Sequence, residues 1–163
     1  MRVLWLIAAS LVLFSCDPVH DDAQAALGGE APGVQKGPTH RPGQPCITCH
    51  DGSLGSPEHF SVAGTVFLNA DDKTPAENAT VNLLSADGTS WPATTNSVGN
   101  FYVTPKQFTP VYPMTVSVDY TGRPTTKMKS HVGRDGSCAD CHTDPAGPTS
   151  AGHVFVSLDG GTP

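Results

Sequence analysis

Met114-Thr115-Val116-Ser117-Val118-Asp119-Tyr120 alternates apolar and polar side chains without a break. A period of two places Met114, Val116, Val118 and Tyr120 on one face of an extended chain, with Thr115, Ser117 and Asp119 on the other. That is the pattern of a half-buried strand. Upstream, the runs Ser61-Val62-Ala63-Gly64-Thr65-Val66-Phe67-Leu68, Thr80-Val81-Asn82-Leu83-Leu84 and Asn100-Phe101-Tyr102-Val103 read the same way, the last after a Val98-Gly99 turn. Downstream, His153-Val154-Phe155-Val156-Ser157-Leu158 predicts a final strand. Gly, Pro, Asn and Asp separate these runs at the spacing of a β-sandwich. The composition agrees, because 17 Gly and 15 Pro in 163 residues, with 15% charged residues, favour strands and turns over long helices. The predicted fold is all-β: a small Ig-like β-sandwich.

Two stretches fall outside the strand pattern and carry the chemistry. Cys46-Ile47-Thr48-Cys49-His50 and Cys138-Ala139-Asp140-Cys141-His142 are both C-x-x-C-H, the attachment pattern of c-type haem. Two thiols at this spacing bond the two vinyl-derived edges of one porphyrin, and the adjoining His lies under the iron as proximal ligand. The predicted cofactors are two covalently bound haem c, held by Cys46, Cys49, Cys138 and Cys141, with His50 and His142 on the irons. Two other readings of these cysteines are a zinc site with four thiolate ligands and a pair of disulfides. Neither requires a His directly after both Cys pairs.

The far side of each iron has several candidates. His40 precedes Cys46 by six residues and His131 precedes Cys138 by seven, while His59 and His153 follow the motifs by nine and eleven. Six extended residues reach on the order of 20 Å, enough for any of them to reach round a porphyrin. His40 and His131 sit among Gly and Pro in the motif loops and are the first candidates; His59 and His153 begin strands. Met128 is the candidate thioether ligand. His20 reads as solvated, Met114 as core, and Trp91, Tyr102, Tyr112 and Tyr120 as core or rim of the sandwich.

Arg2 followed by the apolar run Val3 to Phe14 has the length of a signal-peptide core and is too short to span a bilayer. It ends in Leu13-Phe14-Ser15-Cys16, which resembles a bacterial lipoprotein cleavage box. The resemblance implies that Cys16 is lipidated and anchors an exported protein to a membrane it does not cross. Export places the cysteines where haem c is attached. The expected organisation is a signal peptide over 1–15, a flexible Gly-, Pro- and Ala-rich tether over 16–39, a first haem loop over 40–60, the sandwich over 61–129, and a second haem loop with the final strand over 130–163. A net charge of −6 argues against nucleic acid. Expected partners are redox proteins of the cell envelope and, through the anchor, a membrane.

From Val62 to Pro105 the chain resembles the carboxypeptidase regulatory-like domain, a small transthyretin-like β-sandwich. Val62-Ala63-Gly64-Thr65-Val66, Pro75-Ala76-Glu77-Asn78-Ala79-Thr80-Val81 and Thr95-Asn96-Ser97-Val98-Gly99-Asn100-Phe101 carry the resemblance. It implies a fold and no catalytic residues. Both C-x-x-C-H motifs lie outside it, so the expected arrangement is a scaffold with haems at its two ends. Together these features are similar to a dihaem c-type cytochrome lipoprotein, and an electron carrier is the expected function. Two alternatives stand beside it. One is a haem enzyme such as a peroxidase or small-molecule reductase; the other is a haem-containing surface binding or sensing module.

Overall fold

The computed structural model describes residues 18–53 and 56–158; the expected signal peptide and Cys16 lie outside them. The architecture is all-β, with two sheets and, among the described residues, one α-helix. The strands are β1 (Val62–Phe67), β2 (Thr80–Leu84), β3 (Ser90–Thr94), β4 (Asn100–Val103), β5 (Thr115–Asp119), β6 (Thr126–Lys127) and β7 (Val154–Phe155). One sheet has the order β4-β1-β7 and the other β3-β2-β5-β6. Val62, Val66, Phe101 and Val103 from the first sheet and Val81, Leu83, Ala93 and Val118 from the second share one core. Met114, 1% exposed, belongs to it as expected.

The strands read from alternation form where expected, and two others form without that signal. β3 contains Pro92, which pairs with Asn82 of β2. Proline has no N–H to donate, and β3 is an edge strand, the place in a sheet where that loss is tolerated. β6 is two residues long, too short to show a period.

Every residue of β1 is buried. Val62 and Val66 enter the core between the sheets, while Ala63, Thr65 and Phe67 alternate with them and lie outside that cluster. Both faces are covered, which explains why β1 reads as a near-continuous apolar run.

The covering is done by the two C-x-x-C-H loops. β1 runs antiparallel to β4 from Val62↔Val103 to Thr65↔Asn100 and parallel to β7 at Val66↔Val154 and Phe67↔Phe155. Ala63 also bridges Ser137 in parallel, its N–H donating to the Gly136 carbonyl at 3.0 Å. Residues 138–153 therefore leave β1 beside Ala63 and rejoin it at Val66. The second motif is an excursion between two pairings on the same strand.

The first loop docks on β1 and β4 through buried polar groups. Thr65 Oγ1 accepts from the Gly43 N–H at 2.7 Å and donates to Asn100 Oδ1 at 2.7 Å. Asn100 Nδ2 donates to the His40 carbonyl at 2.9 Å. Thr65 and Asn100 are each 5% exposed, so these bonds form away from competing water. Both motifs thus contact one strand, β1. This corrects the expectation of haems at two ends of the scaffold: 92 positions separate Cys46 from Cys138, and the chain folds them back onto the same strand.

The segment read as a flexible tether also differs. Pro18–Ala26 forms helix α1, with Pro18 in the first turn, Asp21 near the positive end of the helix dipole and Ala at 23, 25 and 26. The helix contacts the first motif, and Gln24 Nε2 donates to the Thr48 carbonyl at 3.1 Å. No helix among the described residues is long and apolar enough to cross a membrane.

Candidate functional site

The two motifs fold alike. Cys46–Thr48 and Cys138–Asp140 each form one turn of 3-10 helix. In the first, the N–H groups of Cys49 and His50 donate to the Cys46 carbonyl at 3.2 and 3.0 Å; in the second, those of Cys141 and His142 donate to the Cys138 carbonyl at 3.3 and 2.9 Å. One carbonyl gathers both following N–H groups, so each turn holds its two thiols and its His in the same relation. All four cysteines are free thiols.

The histidines are oriented alike as well. His50 Nδ1 lies 3.0 Å from the Glu58 carbonyl oxygen and 3.0 Å from Ser56 Oγ, and His142 Nδ1 lies 2.8 Å from the Gly152 carbonyl oxygen. A ring that donates from Nδ1 to a carbonyl has its Nε2 lone pair available for a metal, and the donation raises the ring's basicity. Phe60 stacks on His50 with ring centres 4.3 Å apart and planes 16° apart, and Tyr102 stacks on Phe60 at 4.9 Å and 20°. The His50 ring is thereby held on its face as well as at its edge.

The second motif lies flat on β1. A Cβ built on Gly64 would come within 2.7 Å of Cys138 Cβ and 2.8 Å of its Sγ. Only a strand residue without a side chain admits this approach. Burial pushes the Cys138 thiol up to about 12, with smaller contributions from the charges of Cys46, Asp135, Asp140 and Cys141. Burial likewise pushes Cys46 up to about 11, with Cys49 and Asp140 adding to it. Gly43 of the first loop and Cys138, Ala139 and His142 of the second line one small cleft, so the two loops approach each other. Burial and a hydrogen bond with Asp135 raise the Asp140 carboxyl above its ordinary value.

The distal candidates occupy different places. His40 faces His50, with ring centres 5.9 Å apart and planes at 81°. Its Nδ1 lies 3.2 Å from Glu30 Oε1. The Arg41 guanidinium, 3.0 Å away, holds the Glu30 carboxyl below the usual carboxylate range, with a smaller part from His40. His153 lines a small cleft with His142, but its Nε2 bonds the Asn69 carbonyl at 2.9 Å and its Nδ1 lies 3.5 Å from Asp144 Oδ2. His131 and His59 are exposed. Met128 follows β6 in the other sheet and donates its N–H to the Val116 carbonyl at 3.1 Å. His20, read as solvated, is half-buried on α1, 3.1 Å from Ser53 Oγ of the first loop. Trp91, Tyr112 and Tyr120 pack against the core. Tyr102 is the exception, since it ends the stack that begins at His50.

Sequence reasoning missed Glu30 and Arg41. Both fall in or beside a stretch without periodicity, and nothing local reveals that Glu30 meets His40 across ten residues. Among the described residues no group of three or more His, Cys, Asp or Glu is arranged to hold a bare metal ion. The motif residues do suit a haem: paired thiols on one turn, then a His whose Nδ1 is already engaged. No protein-family model, no curated protein and no solved structure matches the chain.

Proposed function

We propose that the protein is a dihaem c-type cytochrome, an electron carrier attached to a bacterial cell-envelope membrane through lipidated Cys16. The observation that carries this reading is the duplicate geometry of the two motifs. Two separate C-x-x-C-H turns place two thiols and one His alike, with each His ring donating from Nδ1 to a backbone carbonyl. A disulfide pair gives no reason for that second feature, and among the described residues no group of three or more His, Cys, Asp or Glu is arranged to hold a zinc ion.

When bound, the haems supply reversible one-electron chemistry. The chain's own residues hold, orient and insulate them. Cys46 and Cys49 fix one porphyrin; Cys138 and Cys141 fix the other. Ser56, Glu58 and Gly152 aim the rings of His50 and His142. Within the second motif, burial and a hydrogen bond with Asp135 raise the Asp140 carboxyl above its ordinary value. Both motifs contact β1, so this one strand would support the residues that hold both haems.

The finer fold reading, a transthyretin-like sandwich of the carboxypeptidase regulatory-like kind, belongs to this proposal. The support for it is the resemblance from Val62 to Pro105 and the two sheets that enclose one core. In this reading the sandwich is a scaffold for the haem pair.

Expression in a host with haem c maturation machinery tests the proposal. The purified protein is expected to be red, with two haems that survive acid–acetone extraction. Replacing Cys46 and Cys49 with Ser is expected to leave one. A colourless, zinc-loaded or disulfide-bonded product would contradict it.

A further inference from the structure

We infer that the two irons are ligated unequally: His40 closes the first, and the second keeps an exchangeable position. This rests on the haem reading above.

The first half follows from spacing. Two metal–nitrogen bonds of about 2 Å, with about 1 Å from each coordinating nitrogen to its ring centre, put facing imidazoles about 6 Å apart. His40 and His50 have ring centres 5.9 Å apart. Both engage Nδ1 elsewhere, His50 with Glu58 and Ser56 and His40 with Glu30, so both have Nε2 for iron. A carboxylate behind a ligating His is the usual outer partner that fixes ring orientation and raises basicity. Glu30 is itself fixed by Arg41, and its Oε2 is buried without a hydrogen-bond partner, a polar orphan next to this ring. Asn100 anchors the His40 backbone to the sheet. His40 is therefore held in place before any iron arrives.

The second half follows from what the other candidates already do. His153 is the histidine that shares a cleft with His142, and both its nitrogens are engaged, by Asn69 and Asp144. Its ring sits between Phe67, at 4.8 Å, and Phe155, at 6.4 Å. Turning it toward iron would break both polar contacts and empty an aromatic slot. His131 is exposed, and its neighbour Val132 is tied to Met114 by two backbone bonds of 2.9 and 2.8 Å at the core of the sandwich.

The test uses the matured protein after mass spectrometry has counted two haems. Electron paramagnetic resonance of the ferric protein is expected to show one low-spin and one high-spin centre in equal amounts. Carbon monoxide added to the reduced protein is expected to bind at one equivalent. His40→Ala is expected to raise that to two, while His131→Ala and His153→Ala leave it at one. Glu30→Gln is expected to keep the first haem low-spin and to raise its midpoint potential, a readout that mere packing would not move. Two low-spin haems with no carbon monoxide uptake would overturn the inference while leaving the cytochrome reading intact. So would two equivalents bound by the unmodified protein. A chain that matures without haem would overturn both.

Discussion

Gly64 shows how a single residue decides where the second motif rests. A methyl group there would meet Cys138 at 2.7–2.8 Å, so Gly64→Ala has to push the motif off β1. The expected loss is about 1–3 kcal/mol, the usual cost of overpacking a close contact. Gly136→Ala is expected to cost more, because its Cβ would collide with the Ser61 carbonyl oxygen, and backbone cannot step aside. Denaturant titration of both variants checks the order. The thiols give a pH prediction at the same scale. Before haem is attached, Cys46 and Cys138 hold their protons more tightly folded than unfolded, because burial raises them to about 11 and about 12 from an ordinary 9.0. The folded chain binds more protons in that window, so stability is full below about pH 9 and falls as pH rises toward 11–12. Unfolding of the haem-free chain followed between about pH 8 and 11 is expected to show this decline, and alkylation at about pH 8 is expected to be slow at both residues. A flat stability profile would contradict the burial of these thiols.

At the scale of elements, the strands were legible where alternation ran long enough. Met114–Tyr120 encloses β5, and the runs at 61–68, 80–84 and 100–103 enclose or match β1, β2 and β4. β3 was hidden by Pro92, which argues against a strand unless its edge position is known. Helix α1 was hidden because no apolar stripe marks it; it gains its place from contacts with the first loop. Those contacts can be tested. Arg41 has a backbone φ of 49° and ties Glu30, Gln44 and the carbonyls of Leu27 and Gly28 together. Arg41→Ala is expected to release the segment before it, so limited proteolysis would cut within 24–30 faster than in the parent. The buried Asn100 is the matching tie on the sheet side. Asn100→Ala strands the Thr65 hydroxyl and the His40 carbonyl, at an expected cost of about 1–3 kcal/mol. Its spectral effect should fall on the first haem alone, and an equal change at both would contradict the separate roles of the two loops.

For the whole molecule, the sequence shows the two C-x-x-C-H motifs and conceals that both contact one strand. C-x-x-C-H is a local pattern, so Cys46, Cys49, His50, Cys138, Cys141 and His142 stand out without a structure. That both motifs rest on one strand depends on long-range facts: Gly64 beneath Cys138, Thr65 and Asn100 beneath the first loop, and Ser137 paired with Ala63. None of these has a signature along the chain. The same holds for the choice among spare histidines, since His40 differs from His131 through Glu30, a residue far from either motif's pattern. Both motifs contact β1, and under the proposed reading the two haems are neighbours. The Soret circular dichroism of the matured protein is then expected to be a two-signed couplet, reduced to a single band when either Cys pair is replaced with Ser. The proposal rests on covalent attachment at both motifs, and the intact mass of the matured protein reads it without intermediates. The expected result is a covalent increase of two haems, falling to one when Cys138 and Cys141 are replaced; an unmodified mass would contradict it.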